Sequence, residues 1–75
     1  MRKDVSVIAT MQTNGIVIPQ TLIWENGKKY SIDRVLDIRK KASTKGGGMG
    51  LRYTCRFGDH ERYLWLDGYV WFVEV

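Results

Sequence analysis

The segment LRYTCRFGDHERYLWLDGYVWFV, residues 51–73, carries the clearest strand pattern in the chain. Apolar and polar residues alternate from Leu51 to Phe57, as in a strand with one buried face. The dipeptides Gly58-Asp59 and Asp67-Gly68 are typical of two-residue hairpin turns. The segment therefore predicts three antiparallel strands, at residues 51–57, 60–66 and 69–73.

These two turns fix the expected cross-strand partners. Tyr53 and Leu64 are expected side by side on the core face, with Trp71 opposite Leu64. Arg52 is expected opposite Trp65 on the other face. That second face then gathers basic, aromatic and apolar side chains, namely Arg52, Arg56, Tyr63, Trp65, Val70 and Phe72.

The N-terminal residues predict another hairpin. Apolar and polar residues alternate over residues 5–11, with Ile8 as the exception, and Asn14-Gly15 predicts a type I′ turn that returns the chain as a strand over residues 16–24. Pro19 cannot donate a ladder hydrogen bond, so this strand is expected to be an edge or to be bulged there. The expected pairs are Val5 with Trp24, Val7 with Leu22, and Met11 with Ile18.

A third strand is predicted over residues 28–41. It follows a three-residue loop with Gly27 in the left-handed conformation, because this loop length sets Leu22 opposite Tyr30. The adjacent apolar residues Val35-Leu36 break the alternation, which predicts a bulge or a sharp bend there.

Five to six short strands joined by tight turns, without a crossover helix, predict an all-β antiparallel meander that closes into a small SH3-like or related open barrel. With 75 residues, 44% of them apolar, the chain is expected to form one small β-barrel domain spanning residues 1–75. The single Cys55 cannot form an internal disulfide, and the sequence has no basic-then-apolar leader and no apolar run of membrane length. We therefore expect a reducing cytoplasm and no membrane contact.

Three stretches resemble those of short, uncharacterised all-β bacterial proteins. They are YSIDRVLDIRKKAS (30–43), GGGMGLRYTCR (46–56) and ERYLWLDGYVWFVEV (61–75), so the resemblance covers residues 30–75. It implies a bacterial cytoplasmic origin and brings no established activity or site residue.

Positive charge is concentrated in residues 39–56, which hold six basic residues and no acidic one. The remainder has six basic and eight acidic residues, so the net charge of +4 divides into +6 and −2. Like charges on neighbouring strands destabilise a sheet, so this cluster is not explained by stability. A polyanion bound there would relieve the repulsion.

The leading hypothesis is a small binding module that contacts the backbone of nucleic acid, either single-stranded or duplex, through this segment. Arginine and lysine side chains supply phosphate contacts, and neighbouring aromatic rings can stack on bases. The predicted nucleic-acid-binding residues are Arg39, Lys40, Lys41, Lys45, Arg52, Arg56, Tyr63 and Trp65.

Two other interpretations stay open. The basic residues can protect sheet edges and keep a small domain soluble, while the aromatic residues form the core. The second alternative is a protein–protein interaction or homodimerisation module. It would use an aromatic face made of Tyr63, Trp65, Val70 and Phe72.

The glycine loop at residues 46–50 also has two interpretations. It lacks the order of a phosphate-binding Walker loop, because Lys45 precedes the glycines and a strand follows them. The loop is therefore either a flexible connection between strands or a cradle that binds an anion together with Lys45.

No enzyme is predicted, and no metal or cofactor. Asp59-His60-Glu61 falls on a predicted hairpin turn without further metal ligands nearby in the sequence. Cys55 is expected on the core face with no histidine base beside it, as a buried and inert thiol.

Overall fold

The computed structural model describes residues 1–42 and 49–75, which form one antiparallel sheet of seven strands. Among these residues, no helix is long and apolar enough to cross a membrane. The strands are β1 (Arg2–Met11), β2 (Val17–Ile23), β3 (Lys29–Ser31), β4 (Arg34–Ala42), β5 (Met49–Phe57), β6 (His60–Asp67) and β7 (Val70–Glu74). Their order across the sheet is β3-β2-β1-β7-β6-β5-β4. The predicted all-β antiparallel class is confirmed.

The two edge strands, β3 and β4, are consecutive in the chain and separated only by Ile32 and Asp33. The Ile32 N–H donates to the carbonyl oxygen of Gln20 on β2 (2.9 Å), and the Asp33 N–H donates to that of Arg56 on β5 (2.8 Å). The sheet must therefore curl until these two residues bridge its edges. Within the described residues β3 and β4 share no ladder, so the sheet is not closed. The strand predicted over 28–41 is divided at this bridge, which accounts for the additional strand.

The turn of the first hairpin differs from the predicted one. Gln12 donates its N–H to the Ile16 carbonyl (2.8 Å), which closes a three-residue loop. Gly15 has a positive φ of 87°, and Asn14 does not have a positive φ. The predicted type I′ turn is therefore wrong, because it needs positive φ at both central residues.

A bulge at Gln20 confirms the predicted irregularity near Pro19. β1 has no matching extra residue. The β1–β2 register between the bulge and the hairpin turn therefore differs by one residue from the register beyond the bulge. The predicted Val7–Leu22 pair is confirmed, whereas Met11 lies one residue from its predicted partner. The observed pairs are Ser6–Ile23, Val7–Leu22, Ile8–Thr21, Ala9–Pro19, Thr10–Ile18 and Met11–Val17.

The loop before β3 and the irregularity in β4 are as predicted. Gly27 has a φ of 83°, and Leu22 pairs with Tyr30. In the β4–β5 ladder, β4 contains one additional residue, Leu36, at the predicted break in the alternation. The bulge sets the face to which each later residue of β4 points.

The β5–β6 register is also as predicted, with Tyr53 opposite Leu64. The predicted register of the last hairpin is wrong by two residues. Its loop is Gly68-Tyr69 instead of Asp67-Gly68, so Trp71 pairs with Leu66 instead of Leu64. A shift of two residues leaves every side chain on its predicted face.

The inner face of the curled sheet holds the core. Leu22, Tyr53, Cys55 and Leu64 are buried there, and the Tyr53 hydroxyl donates to the carbonyl oxygen of Val17 (2.5 Å), which ties β5 to β2. Burial raises the pKa of Tyr53, with a smaller contribution from Cys55. Burial also raises the pKa of the Cys55 thiol to about 11, so the predicted buried thiol is confirmed. We call the opposite side of the sheet the outer face.

Candidate nucleic-acid interface

The outer face of β4 and β5 brings five cations together. Two pairs of arginines lie across the β4–β5 ladder: Arg39 is opposite Arg52, and Arg34 is opposite Arg56. Lys41 extends the row beside Gly50. The Leu36 bulge is what turns both arginines of β4 to the same side of the strand. We call this surface the basic face, and its cations are Arg34, Arg39, Lys41, Arg52 and Arg56.

Carboxylates neutralise only part of the basic face. Arg39 pairs with Asp37 (2.7 Å), and Arg56 pairs with Glu61 on β6 (3.2 Å). The guanidinium of Arg52 lies 4.2 Å from the centroid of the Tyr63 ring, and it forms no ion pair with any residue in the described ranges. Its position is therefore set by a ring, and no described carboxylate neutralises its charge.

The structure brings together four of the six basic residues that the sequence predicted for the site, which are Arg39, Lys41, Arg52 and Arg56. Lys40 pairs with Leu51 and so points to the opposite side of β4. Lys45 and Gly46 to Gly48 lie outside the described residues, and with them the predicted anion cradle.

Arg34 was not among the predicted residues. The ladder register was the signal that could have found it. Once Leu36 is counted as a bulge, Arg34 falls opposite Arg56.

The two aromatic residues at the centre of the outer face are buried. Trp65 and Phe72 are 4% and 1% exposed, and their rings stack with centroids 5.8 Å apart. The guanidinium of Arg2 covers Phe72 at 4.0 Å and forms ion pairs with Asp4 (2.9 Å) and Asp67 (3.4 Å). Its hydrogen bond to Asp4 is the main cause that raises the pKa of Arg2. Trp65 therefore offers no free ring face to a base in this conformation.

The other two residues of the predicted aromatic face remain accessible. Tyr63 is 51% exposed and Val70 is 41% exposed. The buried Trp65 lies between them on the face, so they do not form one continuous apolar patch. Tyr63 is thus the ring that a ligand on the basic face can reach.

Two buried donors on the outer face have no hydrogen-bond acceptor among the described residues, Trp65 Nε1 and Arg52 Nε. They belong to residues that pair directly across β5 and β6. A buried donor that lacks an acceptor lowers the stability of the fold.

The remaining sequence candidates lie apart from the basic face. His60 begins β6 at the Gly58-Asp59 turn, and the described residues contain no group of three His, Cys, Asp or Glu side chains arranged to hold a metal ion. No protein-family model, curated protein or solved structure matches this chain.

Proposed function

We propose that this protein is a small nucleic-acid-binding module that captures the phosphate backbone on its basic face. The proposal rests on two pairs of like-charged cross-strand partners, Arg39 with Arg52 and Arg34 with Arg56. Like charges directly opposite each other destabilise an antiparallel pair, so two such pairs on neighbouring strands favour a bound polyanion.

The spacing of the two pairs suits an extended ligand. Arg52 and Arg56 are four residues apart on β5, which corresponds to about 13 Å at the usual rise of a strand. A single phosphate cannot contact both pairs, whereas a nucleic-acid backbone presents a series of phosphates along its length. The contacts are to phosphate, so they position the ligand without reading its sequence.

Tyr63 adds a ring beside Arg52, a cation of the basic face that has no ion pair among the described residues. Because Arg52 lies against this ring, a phosphate held by the guanidinium places its sugar and base next to an exposed aromatic surface. Stacking of this kind tolerates any base.

The finer features of the fold and setting belong to the same proposal. We infer an SH3-like or related open barrel, supported by the bridge of Ile32 and Asp33 between the sheet edges. We also infer binding without catalysis, supported by the buried Cys55 thiol, whose raised pKa disfavours the nucleophilic thiolate. The unpaired Cys55 and the resemblance of residues 30–75 to bacterial proteins are the basis on which we infer a bacterial cytoplasm.

Fluorescence anisotropy with labelled single-stranded and duplex oligonucleotides of DNA and RNA, titrated over a range of salt concentrations, tests the proposal. If all five cations contact phosphates, log affinity falls against log salt with a slope of about −3.5 for a single strand, at about 0.7 per contact. The double variant Arg39→Gln/Arg52→Gln should make that slope shallower by about 1.4.

The matched control is Lys29→Gln/Lys40→Gln, which removes the same charge from exposed positions off the basic face. It should bind with the wild-type slope. Equal losses in both double variants would mean that net charge, rather than the basic face, holds the ligand. Absence of binding at low salt would contradict the proposal.

A protein-interaction or homodimerisation module is the second candidate function. Its supporting observation is the exposure of Tyr63 and Val70 on the outer face. Burial of Trp65 and Phe72 removes the largest rings from that surface, which is why we place this function second.

A further inference from the structure

The inner face opens at one end into a cavity of about 350 Å³. This volume lies within the range typical of small-molecule sites. We call the cavity the aromatic mouth, and its lining residues are Leu22, Trp24, Tyr30, Phe57, His60 and Arg62.

Strand alternation explains why rings collect there. Phe57 lies two residues beyond the buried Cys55 on β5, and Trp24 lies two residues beyond the buried Leu22 on β2. Each continues the apolar face of its strand, and each side chain is partly buried at the edge of the core cluster. Tyr30, which pairs with Leu22, adds a third ring with 39% of its surface exposed.

The charge around the aromatic mouth is positive. None of its lining residues in the described chain carries a carboxylate, and Arg62 forms no ion pair with a described residue. The Lys28 ammonium lies 5.4 Å from the Tyr30 centroid, and it too lacks an ion pair within the described ranges. Lys3 lies 5.7 Å from the Trp24 centroid, but it is neutralised by Glu25 at 2.7 Å.

The other large cavity has a different character. It measures about 620 Å³ and also reaches Trp24 and Arg62, but its lining includes Glu61 and Glu74. The two carboxylates disfavour an anion in that cavity. Both cavities have aromatic rings and Arg62, and the aromatic mouth is the one whose described lining carries no Asp or Glu side chain.

We propose that the aromatic mouth binds one unpaired nucleotide, with its base stacked among the rings of Trp24, Tyr30 and Phe57 and its phosphate held by Arg62 and Lys28. A flat base with an anionic group matches both the rings and the charge. The inference rests on the proposed function and narrows it to single-stranded nucleic acid, because a base inside a duplex cannot enter a cavity. Arg34 and Arg56 lie at the same end of the sheet, so a strand leaving the basic face reaches the aromatic mouth around the Gly58-Asp59 turn.

Nuclear magnetic resonance titration with adenosine 5′-monophosphate tests the inference. The indole N–H signal of Trp24 should shift, while that of Trp65, buried on the outer face, should not. Adenosine lacks the phosphate and ribose 5-phosphate lacks the base, so each should bind about tenfold more weakly than the nucleotide.

Two substitutions separate the contributions of ring and charge. Trp24→Leu removes a stacking surface, and Arg62→Gln removes a cation from an exposed position where folding is not at risk. Each should weaken nucleotide binding about tenfold. Lys40→Gln, at an exposed position off both the basic face and the aromatic mouth, is the matched control and should leave nucleotide affinity unchanged.

The outcomes distinguish this inference from the proposed function. Nucleotide binding that survives both Trp24→Leu and Arg62→Gln, or an unshifted Trp24 signal at millimolar nucleotide, overturns the aromatic mouth as a site. Equal affinity for adenosine and its monophosphate overturns the role of Arg62 and Lys28. Neither result would overturn the proposed function. Oligonucleotide binding that weakens in Arg39→Gln/Arg52→Gln would still support it, because that binding uses the basic face.

Discussion

Alkaline pH should destabilise this protein through Cys55. The thiol is fully buried in the inner cluster beside Leu22, Tyr53 and Leu64, and burial raises its pKa from 9.0 to about 11. An unfolded chain exposes the same thiol at its ordinary pKa. Because the folded-state pKa is the higher one, the stabilisation is complete below pH 9 and is lost as the pH rises towards 11.

The size of the loss follows from the two pKa values. Proton linkage with values of 9.0 and about 11 removes about 1 kcal/mol of unfolding free energy by pH 10 and about 2 kcal/mol by pH 11. A thiol that ionised equally in both states would remove none. Since total stability of small domains is only about 5–15 kcal/mol, the effect is measurable by urea unfolding followed by circular dichroism.

Cys55→Val supplies the control, because it keeps a similar apolar volume and removes the only thiol. Lysine ionisation affects the wild type and the variant alike, and so does that of every tyrosine except Tyr53, whose pKa Cys55 raises slightly. The difference between the two pH profiles is therefore due mainly to Cys55. We expect the wild type to lose about 1 kcal/mol more than Cys55→Val between pH 8 and pH 10. Parallel profiles over that interval would refute the argument that this thiol is desolvated.

Three further predictions concern single contacts, each measured by urea unfolding. Tyr53→Phe should cost about 1–2 kcal/mol, since its hydroxyl holds two strands together, whereas the exposed Tyr63→Phe should cost nothing measurable. Gly50→Ala should cost about 1–3 kcal/mol, because the new Cβ would lie 2.6 Å from the backbone oxygen of Leu66. An unchanged midpoint of urea unfolding would contradict this close contact between β5 and β6. Trp65→Phe should change stability by less than about 1 kcal/mol, because removal of an unpaired buried N–H offsets the lost ring area; a loss above about 2 kcal/mol would show that the indole has a partner.

Turn chemistry and alternation were enough to predict most of the sheet. Gly58-Asp59 gave the β5–β6 register directly, and the break at Val35-Leu36 correctly located a bulge. These features are local, because a glycine with positive φ or a doubled apolar residue acts on its own neighbours.

The failures concern choices that local patterns leave open. Asn14-Gly15 fits either a two-residue turn or a three-residue loop with glycine last, and the chain uses the second. The bulge at Gln20 then restores the predicted register, so Val7 still meets Leu22. Asp67-Gly68-Tyr69 offered a similar choice, and only the packing of whole strands resolves it.

The expectation that Trp65 and Phe72 are accessible failed in a different way. Alternation correctly assigned Trp65 and Phe72 to the face opposite the core, but it could not show that this face is itself covered. The cover is Arg2, which the sequence places 70 residues from Phe72 and the β1–β7 ladder brings within 4.0 Å. Burial on a second face depends on such long-range neighbours.

Arg2 and Arg52 make the same kind of contact with an aromatic ring, but only Arg2 is neutralised by carboxylates. We therefore assign Arg2 to the stability of the fold and Arg52 to the proposed binding. Each guanidinium lies over an aromatic ring, at 4.0 Å and 4.2 Å. Arg2 has carboxylates on both sides, Asp4 and Asp67, so its charge is satisfied within the chain and its role is to cover Phe72. Arg52 faces another arginine across the ladder and has no carboxylate partner among the described residues, so in the proposed function its charge is the one that a bound phosphate would neutralise. Loss of Arg2 should therefore reduce stability at every salt concentration, whereas loss of Arg52 should reduce binding and the dependence of binding on salt.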